Sequence, residues 1–166
     1  MFGTGHIFRG NFLHGTNFSN TDLAPASGSD YAHTDGIQYY GSNGEVLKDI
    51  LIENNLFEDF HQGLFLADES LGSLARITIR NNCFIGKNYI PPPGSSNFSG
   101  RPSWGICLGK NFGATDVVLE NNVISNVNNA IGLRAATTGR VTKNILKGPG
   151  GGTAYDPSTI NPSKIT

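Results

Sequence analysis

One asparagine returns along this chain inside the same short frame: Asn54-Asn55-Leu56-Phe57, Asn81-Asn82-Cys83-Phe84 and Asn121-Asn122-Val123-Ile124. Fainter copies stand at Lys143-Asn144-Ile145-Leu146 and Gly10-Asn11-Phe12-Leu13. A strand-like run leads into each clear copy: Asp49 to Ile52, Arg76 to Ile79 and Asp116 to Leu119. A recurrence of this kind decides the architecture before any local propensity does. Asparagine tolerates the left-handed backbone region better than most non-glycine residues, so it can turn a corner between two strands. Stacked on its copies, it also forms a side-chain amide ladder. The expectation is an all-β, single-stranded, right-handed parallel β-helix of about five coils.

The spacing fits that expectation. Steps between Asn11, Asn55, Asn82, Asn122 and Asn144 are 44, 27, 40 and 22 residues, and the shortest suits one bare coil of three short strands and three turns. Longer steps are a coil plus an insertion, and insertions in solenoids fall on loops. Two residues before the ladder position stand Arg9, Glu53, Arg80, Glu120 and Thr142, whose charge alternates through the first four. Opposite charges on neighbouring strands attract, and a wrong register would scramble the alternation. One residue earlier the row is apolar: Phe8, Ile52, Ile79, Leu119 and Val141. A sandwich of short antiparallel strands accounts for neither row.

Composition adds boundaries. The 22 glycines suit a chain with many turns, and 166 residues make one domain, residues 1–166, with coils over about 5–148 and a tail over 149–166 too rich in Gly, Pro and Ser for another coil. A net charge of −1 gives no reason to expect a nucleic-acid partner or an anionic membrane surface. No apolar stretch is long enough to span a bilayer, and no signal peptide is visible at Met1. The neutral polar, β-rich composition nevertheless suits a secreted or cell-surface protein. Cys83 and Cys107 fall on different sheets in this alignment and read as free thiols.

A second repeated strand precedes the ladder strand: Asp35-Gly36-Ile37-Gln38-Tyr39-Tyr40, Gln62-Gly63-Leu64-Phe65-Leu66-Ala67, Trp104-Gly105-Ile106-Cys107-Leu108-Gly109 and Asn129-Ala130-Ile131-Gly132-Leu133-Arg134. Alternation turns Ile37, Leu64, Ile106 and Ile131 inward with Tyr39, Leu66, Leu108 and Leu133. It turns Gln38, Phe65, Cys107 and Gly132 outward, followed by Tyr40, Ala67, Gly109 and Arg134. Insertions over roughly Gly15 to Ala32 and Gly86 to Ser103 enter this strand and carry the composition of exposed loops, as in Pro91-Pro92-Pro93-Gly94. Two loops flanking one face make a groove, and extended solenoid surfaces suit a linear polymer such as a polysaccharide.

The densest chemistry lies at the groove's mouth, in Asp30-Tyr31-Ala32-His33-Thr34-Asp35-Gly36-Ile37-Gln38. His33 can serve as a general base or acid near neutral pH, and Asp35 can orient it, bind a cation or act as an acid. The plainer alternative is that Asp35 caps the turn before Gly36 and His33 bonds a loop carbonyl. His61, in the next coil, is the natural second polar group or else a solvated turn histidine. Tyr40, Phe65 and Trp104 form a floor for sugar rings or pack under the loops.

The asparagine ladder and coil pattern, over about Gly5 to Leu146, resemble the pectin-lyase-like parallel β-helix superfamily. The string His33-Thr34-Asp35-Gly36-Ile37-Gln38 resembles the H-x-D-G-I-Q segment of bacterial β-helix proteins grouped with polysaccharide lyases and uronan epimerases. Thr34-Asp35-Gly36-Ile37 is also similar to the N-T-D-G-x-D motif of polygalacturonases, but their two further aspartates align with His61 and Gln62, and their G-H-G segment with Ser103-Trp104-Gly105. Glycoside hydrolysis normally needs a carboxylate pair, and only Asp35 remains.

The resemblance therefore implies β-elimination or C5 epimerisation of a uronate polymer, or else a non-catalytic polysaccharide-binding or structural module. Arg101, Lys110, Arg134 or a Ca²⁺ held by carboxylates such as Asp30 and Asp35 can neutralise the uronate, although no calcium-loop spacing is present. His33 or Lys110 is then the base and Tyr31 or His61 the acid, with Gln38, Tyr40, Phe65, Arg101, Trp104, Lys110 and Arg134 along the bound chain.

Overall fold

The computed structural model describes residues 3–15, 35–39, 46–66, 73–87, 104–109, 113–133 and 137–147. Among these, every strand pairing is parallel and there is no helix. The chain winds through three sheets in turn, which makes it a parallel β-helix.

The first sheet runs Ile7–Arg9, Val46–Glu53, Ser73–Arg80, Val117–Glu120 and Gly139–Thr142, with Ala114–Thr115 also against Ser73–Arg80. The second stacks Phe12–His14, Leu56–Glu58, Cys83–Ile85, Val123–Ser125 and Ile145–Lys147. The third stacks Asp35–Gln38, Gln62–Leu66, Trp104–Leu108 and Asn129–Leu133. Sheets closed around a narrow interior leave one inward row per strand face. Ile52, Ile79 and Leu119 fill it from the first sheet and are fully buried, with Phe8 and Val141 packed against them. Phe57, Phe84 and Ile124 fill it from the second, and the Phe57 and Phe84 rings stack at 4.7 Å with 10° between planes.

Between the first two sheets Asn11, Asn55, Asn82, Asn122 and Asn144 form a directional ladder. The backbone N–H and the side-chain amide of each donate to Oδ1 of the next, at 2.9 to 3.1 Å. The remaining amide hydrogens of Asn55, Asn82, Asn122 and Asn144 go to the carbonyls of Phe8, Ile52, Ile79 and Leu119. Asn55, Asn82 and Asn122 are thereby satisfied while 3 %, 2 % and 0 % exposed, which meets the requirement on buried polar groups.

The corner itself belongs to the preceding residue. Asn54, Asn81, Asn121 and Lys143 hold φ of 57°, 56°, 55° and 55°, while the ladder asparagines do not have positive φ. Turning and laddering are thus divided between the two members of each Asn-Asn pair. A second left-handed column corrects the strand starts expected at Asp49, Arg76 and Asp116. These residues have φ of 58°, 52° and 55°, and the strands Val46–Glu53 and Ser73–Arg80 run through them from three residues earlier. Asp49 and Arg76 are ion-paired there at 2.6 Å, and the Asp49 carboxylate holds the Arg76 guanidinium above its ordinary pKa.

The charge row also has a physical basis. Arg9 and Arg80 both bond the Glu53 carboxylate, the latter at 2.7 Å, and Arg80 first and then Arg9 hold that carboxyl below the ordinary glutamate range. Glu120 is in register with Arg80 but is bonded to Arg140 at 2.8 Å.

Candidate functional site

The third sheet carries the sequence segment that held the catalytic and binding candidates. Its inward residues are as alternation requires: Ile37, Tyr39, Leu64, Leu66, Ile106, Leu108, Ile131 and Leu133 are all buried, at 7 % exposure or less. Gln38 is exposed and Cys107 half-buried on the other face. A glycine column fixes how closely this sheet approaches the core. A Cβ on Gly36 would meet the Phe57 ring at 2.8 Å, one on Gly63 the Phe84 ring at 2.6 Å, and one on Gly105 the Ile124 side chain at 2.6 Å. The glycine in Asp35-Gly36-Ile37 is therefore a packing requirement, repeated in the coils above it.

Register brings Asp35, Gln62, Trp104 and Asn129 into one row, and Gln38, Phe65, Cys107 and Gly132 into another. Asp35 is half-buried at the start of its strand, beside Gln62. His61, immediately before Gln62, is only 8 % exposed, which disagrees with a solvated turn histidine. Trp104 is half-buried. Its indole lies against the Gly132 backbone, since a Cβ there would sit 2.5 to 3.0 Å from three ring carbons. A small apolar hollow lies alongside, lined by Phe60, Trp104 and Val127 among others.

Asp35, Gln38, Gln62 and Trp104 thus share one sheet on adjacent coils. Tyr31, His33, Tyr40, Arg101, Lys110 and Arg134 lie outside the described residues, as do Asp30, most of both insertions and the side chain of Phe65. The sequence places Gln62 at the head of a repeated strand, where the polygalacturonase motif would have an aspartate. Its burial, at 7 % exposure, has no local sequence signal, because it depends on what neighbouring coils place beside it. Cys83 and Cys107 lie on different sheets and are not joined in a disulfide, and burial pushes the Cys83 thiol above its ordinary pKa.

Fold and row together define a solenoid with an aromatic and amide-bearing sheet face. Residues 8–162 match the family model described as "Periplasmic copper-binding protein (NosD)". This span takes in nearly the whole chain, and the chain belongs to the NosD family, whose fold is the right-handed parallel β-helix of the pectin-lyase-like type. The comparisons with curated proteins and with solved structures gave no match. The family match supports the β-helix resemblance and carries no support for its lyase and epimerase branch.

The family description raises a metal, so the donors need a fit test. Copper takes imidazole, thiolate and thioether donors. Among the described residues no three His, Cys, Asp or Glu side chains are grouped to hold a metal ion. His14 Nε2 approaches Glu58 Oε2 at 3.7 Å, and His14 Nδ1 donates to the Gly15 carbonyl at 2.6 Å. This pair offers one imidazole beside a carboxylate, and the described residues do not make a copper centre.

Proposed function

We propose that this chain is a cell-envelope β-helix that binds an extended acidic polysaccharide across the outer face of its third sheet. The observation that carries the reading is Trp104, whose indole is laid along the sheet over Gly132, in a strand next but one to exposed Gln38. A flat aromatic surface on a rigid sheet suits the apolar face of a sugar ring, and amides suit its hydroxyls. Arg101, Lys110 and Arg134 are the residues we assign to the uronate carboxylates, and Tyr40 and Phe65 to further ring contacts.

The finer reading is β-elimination or C5 epimerisation at the Asp35 end, with His33 as base and Tyr31 or His61 as acid. Both reactions need the C5 proton removed while the carboxylate is neutralised, by the cations just named or by Ca²⁺, and neither needs the second carboxylate of a glycosidase. Incubation with alginate, pectate and glucuronan, with and without Ca²⁺, tests it. Elimination creates an unsaturated uronate absorbing in the near ultraviolet, and epimerisation in heavy water places deuterium at C5. Neither signal on any polymer would reduce the protein to a binding module. Activity surviving both His33→Ala and Asp35→Ala would reject these residues.

A second reading, copper binding in the periplasm, rests on the family's description. Its test is a Cu²⁺ titration of the purified protein. Saturation at one equivalent that His14→Ala abolishes would make the His14 imidazole one of the donors. Saturation unaffected by that change would move the donors elsewhere.

A further inference from the structure

The side-chain oxygen of Gln62 is buried and accepts no hydrogen bond. Buried polar atoms are nearly always paired, and one without a partner costs its full desolvation penalty. Gln62 sits at the start of the strand Gln62–Leu66, in register with Asp35 on one side and Trp104 on the other. Its chain neighbour Gly63 faces the core, where a Cβ would strike the Phe84 ring at 2.6 Å. Its register partners Asp35 and Trp104 are half-buried and stand outside the apolar core, so the row borders the face to which the polysaccharide reading assigns the ligand.

We propose that Gln62 is the hydrogen-bonding anchor of a saccharide subsite between Asp35 and Trp104, and that it takes a neutral ring hydroxyl. This inference rests on the polysaccharide reading. A hydroxyl both donates and accepts, so it satisfies the amide whichever of its two ends faces the ligand. The amide carries no charge to match a uronate carboxylate, so that group is left to the cationic residues already named. The subsite therefore reads the sugar's hydroxyl pattern, and the cationic residues elsewhere read its charge. Retaining an unpaired buried amide oxygen is a local cost of the kind that functional sites carry.

Gln62→Met keeps the length and apolar stem while deleting the amide, and it separates the two roles. Without ligand, the variant should melt about 2 to 4 °C above wild type, since an unmet buried group has been removed. In calorimetry with pectate and alginate oligosaccharides, its affinity should fall about tenfold. A lower melting temperature would mean that an internal partner holds the amide, and the proposal is then wrong. Unchanged affinity in Gln62→Met beside lost affinity in Trp104→Ala would leave the groove standing and overturn the anchor. A wild type that binds neither oligosaccharide would overturn both.

Discussion

Asn55 delivers its backbone N–H and its side-chain amide to one atom, Oδ1 of Asn82, at 3.0 and 2.9 Å. Asn82 repeats the gesture toward Asn122 and also caps the Ile52 carbonyl at 2.9 Å. Asn82→Leu would strand two donors of Asn55 and the Ile52 carbonyl in a buried column. At about 1–3 kcal/mol for each unmet group, a loss of at least about 3 kcal/mol is expected. Chemical denaturation of the variant against wild type measures it.

The neighbouring residue should behave oppositely. Asn81 is exposed and left-handed, with φ of 56°. Asn81→Gly should be close to neutral, whereas Asn81→Val should cost about 1–2 kcal/mol, the penalty for a side chain with Cβ in that region. Equal losses in the two variants would show that the corner is not what Asn81 supplies.

These two residues also show how far the sequence could be read. The recurring Asn-Asn frame exposed the period, the register and the inward apolar row, because those follow from spacing alone. It did not separate the turning residue from the bonding one, since both are asparagine and one residue apart. The corner at Asp49, Arg76 and Asp116 was legible only as a strand start, because an arginine interrupts the two aspartates and only the backbone conformation is common to all three. At the candidate site, spacing aligned Gln62 with Asp35, but its burial depends on lateral neighbours and left no mark in the chain. His14 and Glu58 meet only through stacking, across 44 residues of sequence, in a row that alternates no charge and repeats no type.

Gly63→Ala should destabilise the third sheet. Its added methyl would lie 2.6 Å from the Phe84 ring and 2.7 Å from the Gly105 carbonyl, and overpacking of this kind costs about 1–3 kcal/mol. A melting temperature at or above the wild-type value would contradict the glycine column as a packing requirement.

Acid should weaken the fold through Glu53. Its carboxyl is held below the ordinary glutamate range by Arg80 and Arg9, so folding favours the ionised form. That contribution is complete above the ordinary glutamate pKa and is lost as pH falls through that value toward the folded-state one. Melting temperatures followed from neutral pH into this acid range should fall less steeply for Glu53→Gln than for wild type. Identical slopes would remove Glu53 from the account of acid stability.

Trp104 is the only tryptophan in the chain, so its intrinsic fluorescence reports on the proposed binding face alone. Titration with pectate and alginate oligosaccharides should change its intensity saturably and shift its maximum. Added salt should weaken the binding, as exposed charges are screened over about 8–10 Å near physiological ionic strength. Saturable binding seen by calorimetry with an unaltered Trp104 spectrum would place the ligand elsewhere on the solenoid and contradict the assignment of this face.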